Sequence, residues 1–289
     1  MAKPKILIQL DPDFHSSVFD AVVAVDAGVE HLLQYHSVQP EQVRDLVHGA
    51  MFTRSPQDLA STAIFIGGSN VSSGEELLKK VMKCFFGPMR VSVLLDANGA
   101  NTTAAAAVLA AAKHVELKGA TATILAGTGP VGQRAARLLA KQGAVVRLAS
   151  RTISRAEEAC QSIRSRVPDA QLQPVAAANA EDTAAAVASA QIVISAGAAG
   201  IQLLSAAGLQ QTKSLRVAID LNAVPPLGIE GIEVMDKAKE RGGVFCYGAI
   251  GVGGTKMKIH RAAIDKLFTR NDLVLDAEEV FELGQELAK

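Results

Sequence analysis

Neither sign of charge prevails in this chain of 289 residues, where 29 Lys and Arg are balanced by 29 Asp and Glu. That balance leaves no basic field for nucleic acid or for an anionic membrane surface. Cysteine is scarce, and Cys84, Cys160 and Cys246 stand apart, odd in number and without C-x-x-C spacing. They read as reduced thiols of a cytoplasmic protein, not as a disulfide framework. No apolar run approaches the roughly 20 residues that a membrane-spanning helix needs. Met1-Ala2-Lys3-Pro4 leads straight into a strand, so no signal peptide is expected. His15, His31, His36, His48, His114 and His260 show no H-x-x-x-H or similar metal spacing, and no G-x-S-x-G elbow occurs. Neither a metal site nor hydrolase chemistry is supported. Internal repeats and low-complexity linkers are also missing.

What is present is core-forming material, with 49% hydrophobic and only 20% charged residues. That composition argues against disorder, and the length suits two domains. Strand and helix patterns alternate, which predicts an α/β fold with mostly parallel sheets covered on both faces. Strands are expected at residues 5–10, 30–35, 62–66 and 90–95. The helices between them are expected at 17–27, 40–48 and 75–85, the last capped by Ser72 or Ser73. An alanine-rich helix over 102–114 joins a second series of strands at 122–126, 145–150, 172–175, 191–195, 216–220 and 243–247. Helices over 256–268 and 277–288 close the chain. This divides it into a first domain of residues 1–101 with about 265–289, and a Rossmann-type parallel-sheet domain of 102–264.

The densest motif is Gly127-Thr128-Gly129-Pro130-Val131-Gly132, a G-x-G-x-x-G between a buried strand and an amphipathic helix. In that setting Gly127 makes the tight turn, Gly129 lets the backbone approach a pyrophosphate, and Gly132 lets helix and strand pack closely. The phosphate then meets free N–H groups at the helix N-terminus, Pro130 and Val131 opening that helix. An NAD-selective domain places a carboxylate at the end of the next strand to hold the ribose hydroxyls. This chain has Ser150-Arg151-Thr152 there, with Arg155 one turn on. A carboxylate repels a 2′-phosphate, whereas guanidinium and hydroxyl groups bind it by charge-assisted hydrogen bonds. NADP is therefore the expected cofactor, with NAD the lesser alternative.

Loops at the carboxyl ends of strands are where open α/β sheets bind ligands. Ser195, Ala196 and Gly197 leave room for nicotinamide and its ribose. Asn222, in a loop stiffened by Pro225 and Pro226, is placed to reach the carboxamide or the substrate, or else to cap its own turn. Residues 248–254 read as a glycine-rich loop in which Gly251 faces the cofactor, although the lysine spacing of a Walker A motif fails. Lys256 and Lys258 then open a helix, where the macrodipole disfavours cations, so an anionic partner or a functional role is expected. His260 lies one turn beyond Lys256 on the same face. In the first domain, Asp96-Ala97-Asn98-Gly99-Ala100-Asn101-Thr102-Thr103 is crowded with donors and acceptors and reads as lining a cleft.

Taken together, the chain resembles the NADP-dependent methylene-tetrahydromethanopterin dehydrogenases of methylotrophic bacteria over essentially its whole length. The likeness is carried by Ser17-Val18-Phe19-Asp20, by Thr62-Ala63-Ile64-Phe65-Ile66-Gly67-Gly68, and by residues 98–106, 126–132, 222–231 and 253–261. It implies a pterin-binding first domain with substrate contacts at Phe19, Asp20, Asn98, Asn101, Thr102 and His260, and a pterin seated in the cleft between domains. It also implies a homo-oligomer, a trimer on the family pattern, with no nucleic-acid or membrane partner. By the same resemblance Lys256 matches the lysine at the reaction centre, and Arg151 and Arg155 match the residues that hold the 2′-phosphate. Thr152 departs from the lysine of that pattern, which relaxes the expectation of strict NADP selectivity. The implied reaction passes a hydride from the methylene carbon bridging two pterin nitrogens to NADP and leaves a methenyl cation. A charged Lys256 beside that cation opposes it. The lysine is expected either to bind a pterin carbonyl or carboxylate away from the reacting carbon, or to be uncharged there.

Three other functions compete. A folate-type methylene dehydrogenase with cyclohydrolase activity uses a Y-x-x-x-K pair, but Tyr35 is followed four on by Gln39 and Tyr247 by Gly251. Folate acceptance without cyclohydrolysis stays open. A shikimate-type NADP dehydrogenase and a non-catalytic NADPH sensor are the remaining alternatives.

Overall fold

A computed structural model describes residues 3–289. Met1 and Ala2, where the leaderless start was read, lie outside the described residues. In chain order the first half forms β1 (Ile6–Leu10), α1 (Val18–Asp26), β2 (His31–Tyr35), α2 (Val43–Phe52), β3 (Thr62–Ile66), α3 (Val71–Cys84), β4 (Ser92–Leu95) and α4 (Ala100–Ala112). Next come β5 (Thr121–Leu125), α5 (Pro130–Lys141), β6 (Val145–Ser150), α6 (Ile153–Arg166), β7 (Leu172–Ala176), α7 (Ala180–Val187) and β8 (Ile192–Ser195). The chain continues through α8 (Ala206–Gln211), β9 (Val217–Asp220), β10 (Lys239–Arg241), β11 (Val244–Tyr247), α9 (Ala249–Lys266), β12 (Val274–Leu275) and α10 (Ala277–Ala288). Two compact units result, residues 1–102 with 257–289, and residues 103–256.

The first unit is built on a five-stranded sheet in the order β12-β4-β3-β1-β2, every pair parallel. Burial explains its sequence: β3 (TAIFI) and β4 (SVLL) are wholly buried, the continuous apolar reading that a sheet covered on both faces requires. In this order the crevice that accepts a ligand lies at the carboxyl ends of β1 and β3. The second unit is a seven-stranded sheet, β10-β11-β9-β8-β5-β6-β7, parallel except for the short edge strand β10. Its six parallel strands follow the Rossmann order, so the equivalent crevice lies between β5 and β8.

Local capping accounts for the helix starts. Ser17 Oγ accepts from Asp20 N at the start of α1, and Asn179 accepts from Asp182 N at the start of α7. Asn70, not Ser72 or Ser73, caps α3, because helical geometry already begins at Val71 and the Asn70 side chain reaches Ser73 N. Asp276 and Glu279 form a reciprocal capping box on α10. Helix α4 is buried on all sides from Ala104 to Ala111, and that crowding selects alanine.

One expectation is corrected outright: residues 248–254 are not a loop. They form the last strand-to-helix step and the first two turns of α9. Glycine suits this place because a β-carbon on Gly248 would meet the carbonyls of Glu233 and Val234, and one on Gly251 the carbonyl of Asp236. Lys256 and Lys258 therefore lie two turns inside the helix, and the argument from a first-turn cation no longer applies. No helix among the described residues is long and apolar enough to cross a membrane.

Candidate functional site

Strand β5 ends in the glycine turn, entered through Ala126 with a left-handed backbone (φ 50°). A β-carbon on Gly127 would stand 2.7 Å from Leu148 Cδ1 and 2.9 Å from the Ile124 carbonyl. Gly132, in the first turn of α5, packs on Gly127 so closely that a β-carbon would lie 2.7 Å from the Gly127 Cα. Gly129 is different: it is the N-cap of α5, and its nearest neighbours from that direction are the carbonyls of Ala126 and Ala196 at 3.9 Å. Two glycines thus serve packing and one leaves open space beside the backbone. Pro130 stands at the first helical position and Val131 follows it.

Above this turn is a cavity of about 670 Å³. Thr128 and Gly197 line it from the two strands of the crevice, and Ser150, Arg151, Thr152 and Arg155 line it from the end of β6 and the start of α6. No carboxylate is among its lining residues. Arg151, Thr152 and Arg155 are exposed, and the first turn of α6 carries no acidic side chain. A helix N-terminus, two guanidinium groups and two hydroxyls converge there, a donor set suited to a phosphate. Ala177 and Thr183, beyond the end of β7, complete the far wall and were not anticipated. Their signal was available, since both follow the carboxyl end of a parallel strand.

The other expected cofactor residues are placed differently. Ala196 donates its N–H to the Leu125 carbonyl, tying the β8 loop to β5. Ser195 is fully buried; its hydroxyl has no hydrogen-bond partner among the described residues, and Gly228 packs against it. Asn222 serves its own loop, its Oδ1 accepting from Val224 N and its Nδ2 donating to the Pro226 carbonyl. Gly251 donates its N–H to the Val234 carbonyl within the packed start of α9. None of these four lines the cavity.

In the first unit the crevice between β1 and β3 is flanked by Asp11, directly after β1, and by Gly67-Gly68, directly after β3. Asp11 is fully buried and accepts from Asp13 N at 2.9 Å and Ser17 N at 3.1 Å. Burial pushes its carboxyl above the usual carboxylate value, against the lowering effect of those two N–H donors. Asp20 turns toward the same place: a β-carbon on Gly67 would lie 3.3 Å from Asp20 Oδ2 and 3.5 Å from Asp11 Oδ2. Phe19 is half exposed, and its ring centroid lies 6.4 Å from that of the buried His260, which in turn is 5.6 Å from Phe65. Phe19, Asp20 and His260 are thus brought together. Lys256 precedes His260 by one turn of α9.

The loop after β4 divides. Asn101 and Thr102 are buried and bonded inward: Asn101 Nδ2 donates to the Leu95 carbonyl and Asp276 Oδ1, and Thr102 Oγ1 donates to Asp96 Oδ2. Asn98 alone of the three is exposed, in a left-handed conformation (φ 54°), with its N–H on the Gly68 carbonyl at 2.6 Å. Among the described residues no group of three or more His, Cys, Asp and Glu side chains is placed to hold a metal ion.

Comparison with known proteins separates along the same lines. The family model described as methylene-tetrahydromethanopterin dehydrogenase, N-terminal, matches residues 18–98, and that described as shikimate / quinate 5-dehydrogenase matches residues 108–238. Over 288 residues the chain is 46% identical to the bifunctional protein MdtA of Methylorubrum extorquens, covering 98% of this chain and 99% of that one. It is 34% identical over 295 residues to the NAD(P)-dependent methylenetetrahydromethanopterin dehydrogenase of the same organism, covering 98% of each. Among solved structures, a chorismate mutase/shikimate 5-dehydrogenase fusion protein from Clostridium acetobutylicum aligns over 99% of this chain and 98% of its own. With a TM-score of 0.55 and 11% identity, that likeness is one of fold.

Proposed function

The chain belongs to the methylene-tetrahydromethanopterin dehydrogenase family, and we propose that it oxidises N5,N10-methylene-tetrahydromethanopterin by hydride transfer to NADP, giving the methenyl cation. One observation carries the reading: each sheet has its own topological switch point, and the side chains gathered at the two differ in chemistry. The second unit offers a glycine-lined, carboxylate-free cavity with Arg151 and Arg155 at its rim, which fits NADP. The first offers the Asp20 carboxylate and an exposed aromatic ring, which fit the amino-bearing, flat ring system of a pterin.

When bound, NADP supplies the hydride acceptor. The residues around it bind and orient. Gly129 admits the pyrophosphate to the start of α5, and Arg151 and Arg155, with Ser150 and Thr152, meet the 2′-phosphate. On the pterin side, Phe19 packs on the ring, and Asp20 accepts from its amino group. Asn98 presents its amide from the β4 loop. His260, fully buried between aromatic rings, supports Phe19 more than it contacts substrate. Hydride transfer from a carbon flanked by two nitrogens needs no acid or base, so alignment and exclusion of water are the protein's contribution. Lys256 binds a pterin carbonyl or carboxylate away from the carbon that becomes cationic. Three unpaired cysteines fit a reducing compartment, and a cytoplasmic homo-oligomer belongs to the same reading.

The test is absorbance at the nicotinamide band with NADP⁺ and NAD⁺, each offered methylene-tetrahydromethanopterin and methylene-tetrahydrofolate. Reduction with the methanopterin substrate and preference for NADP⁺ are expected. Turnover with neither pterin would sink the reading and leave the nucleotide-sensing alternative. Lys256→Ala is expected to reduce kcat at least tenfold while NADP affinity changes little; an equal loss in both removes Lys256 from the substrate side.

A further inference from the structure

The first turn of α1 holds Phe19 and Asp20, and beyond the approach of the Phe19 ring to His260 its apolar side chains are largely exposed. Val18 is 75% exposed, Phe19 51% and Val22 56%. What fixes it is a relay of hydrogen bonds that starts at a residue with no place in the proposed mechanism. Asp11 Oδ2 accepts from Ser17 N, and Ser17 Oγ accepts from Asp20 N as the cap of α1. Asp11 Oδ1 accepts from Asp13 N, holding the other end of the same loop. The Asp13 carboxylate in turn accepts from Ser69 N and Ser69 Oγ, joining the loop to the turn after β3. Gly68 (φ 93°) closes against Pro12, so that a β-carbon would lie 2.6 Å from Pro12 Cδ and 3.2 Å from Asp11 Oδ1. Asp11 thus sits at the switch point of the sheet with one oxygen on each end of the loop that leads into α1.

We propose that Asp11 is the positioning residue for the pterin, acting through Ser17 to set the first turn of α1 and with it Phe19 and Asp20. The inference rests on the functional reading above, in which those two side chains meet the substrate. A carboxylate is required because it accepts from two backbone N–H groups at once, one on each oxygen. An asparagine keeps only one accepting oxygen and releases one end of the loop. Asp11 itself is fully buried and touches no substrate. Its removal should therefore appear in the binding of pterin and nowhere else.

Steady-state kinetics with methylene-tetrahydromethanopterin and NADP⁺ test this on four variants: Asp11→Asn, Ser17→Ala, Ser17→Thr, and the Asp11→Asn/Ser17→Ala pair. Asp11→Asn should raise the pterin KM roughly ten- to hundred-fold. Its kcat and its KM for NADP⁺ should stay within about threefold of wild type. Ser17→Ala should move the pterin KM in the same direction, Ser17→Thr should restore it, and the double variant should be no worse than Asp11→Asn, since the two act in series. A structural role alone would lower kcat and NADP⁺ affinity along with pterin binding, and that pattern overturns the proposal. An unchanged pterin KM overturns it too. If Asp11→Asn does not fold, Ser17→Ala with a wild-type KM is sufficient to reject the relay. A wild-type protein that turns over no pterin rejects the functional reading first, and calorimetric titration with tetrahydromethanopterin then decides whether any pterin site exists for Asp11 to organise.

Discussion

The Thr102 hydroxyl donates a 2.6 Å hydrogen bond to Asp96 Oδ2, and both residues are buried. Asp96 Oδ1 accepts in addition from the N–H groups of Asn101 and Thr102, two donors of the first turn of α4. One carboxylate therefore caps the helix and satisfies three donors. Asp96→Ala would leave them without a partner and should cost about 2–4 kcal/mol, from the loss of a cap and of buried hydrogen bonds. Thr102→Val should cost about 1–2 kcal/mol, the hydroxyl bond alone. Chemical denaturation of both variants checks the ordering; a Thr102→Val loss as large as that of Asp96→Ala contradicts it.

Glycines 132 and 254 both lie in helices and should respond oppositely to alanine. A β-carbon on Gly132 meets Gly127 at 2.7 Å, whereas one on Gly254 meets nothing within 4 Å. Gly132→Ala should cost about 1–3 kcal/mol through overpacking and should weaken NADP binding by moving the glycine turn. Gly254→Ala should gain about 0.5–1 kcal/mol by removing backbone entropy from the unfolded chain at a helical position. Thermal melts with and without NADP distinguish the two. A loss of stability in Gly254→Ala means that the segment is not helical in solution.

Cofactor preference should reside in Arg151 and Arg155. Both are exposed at the rim of the cavity, so each contributes less than a buried ion pair. Arg151→Ala and Arg155→Ala should each weaken NADP roughly tenfold, the scale of one partly solvated charge-assisted bond, and leave NAD unchanged. Arg151→Glu should reverse the preference by repelling the 2′-phosphate while bonding the ribose hydroxyls. Fluorescence titration with both nucleotides measures this. Equal weakening of NAD and NADP would place the arginines on the pyrophosphate instead.

The parts of this molecule that were legible in its sequence are those where local chemistry and tertiary role coincide. Gly127 and Gly132 are read easily because packing forbids a side chain there, and Gly129 because its open flank lets a ligand reach the backbone, reasons that the strand-turn-helix context already states. Strands β3 and β6 and helix α10 fall where their patterns put them. Gly248 and Gly251 were misread because their reason is distant: they face backbone at residues 233–236, and glycine otherwise argues against a helix. Asn101 and Thr102 show the same limit for polar groups. Whether an amide faces a ligand or its own chain depends on partners such as Asp276, 175 residues away. Asp11 is illegible for the converse reason, since one aspartate after a strand carries no local mark of the loop that it holds.

His114 provides a pH test in the second unit. Its ring stacks on Phe245 with centroids 4.0 Å apart and an 18° tilt, and Nε2 lies 2.8 Å from the Tyr247 hydroxyl. Burial pushes His114 below its ordinary value, with Lys113 adding to the effect, while burial raises Tyr247. Both shifts favour the neutral forms, so a neutral imidazole and a neutral phenol share this hydrogen bond. Because the folded value is depressed, the unfolded chain binds the proton more readily. The stabilisation is fully present above the unfolded value near 6.5 and is lost as pH falls through the folded one. His114→Phe keeps the stack but removes the titration, and at pH 8 it should cost about 1 kcal/mol for the lost hydrogen bond. Between pH 8 and pH 5 the difference in stability between wild type and His114→Phe should shrink, because only the wild type gives up this contribution on acidification. A difference that is constant with pH, or that widens as pH falls, would show that the ring is not held neutral by the fold.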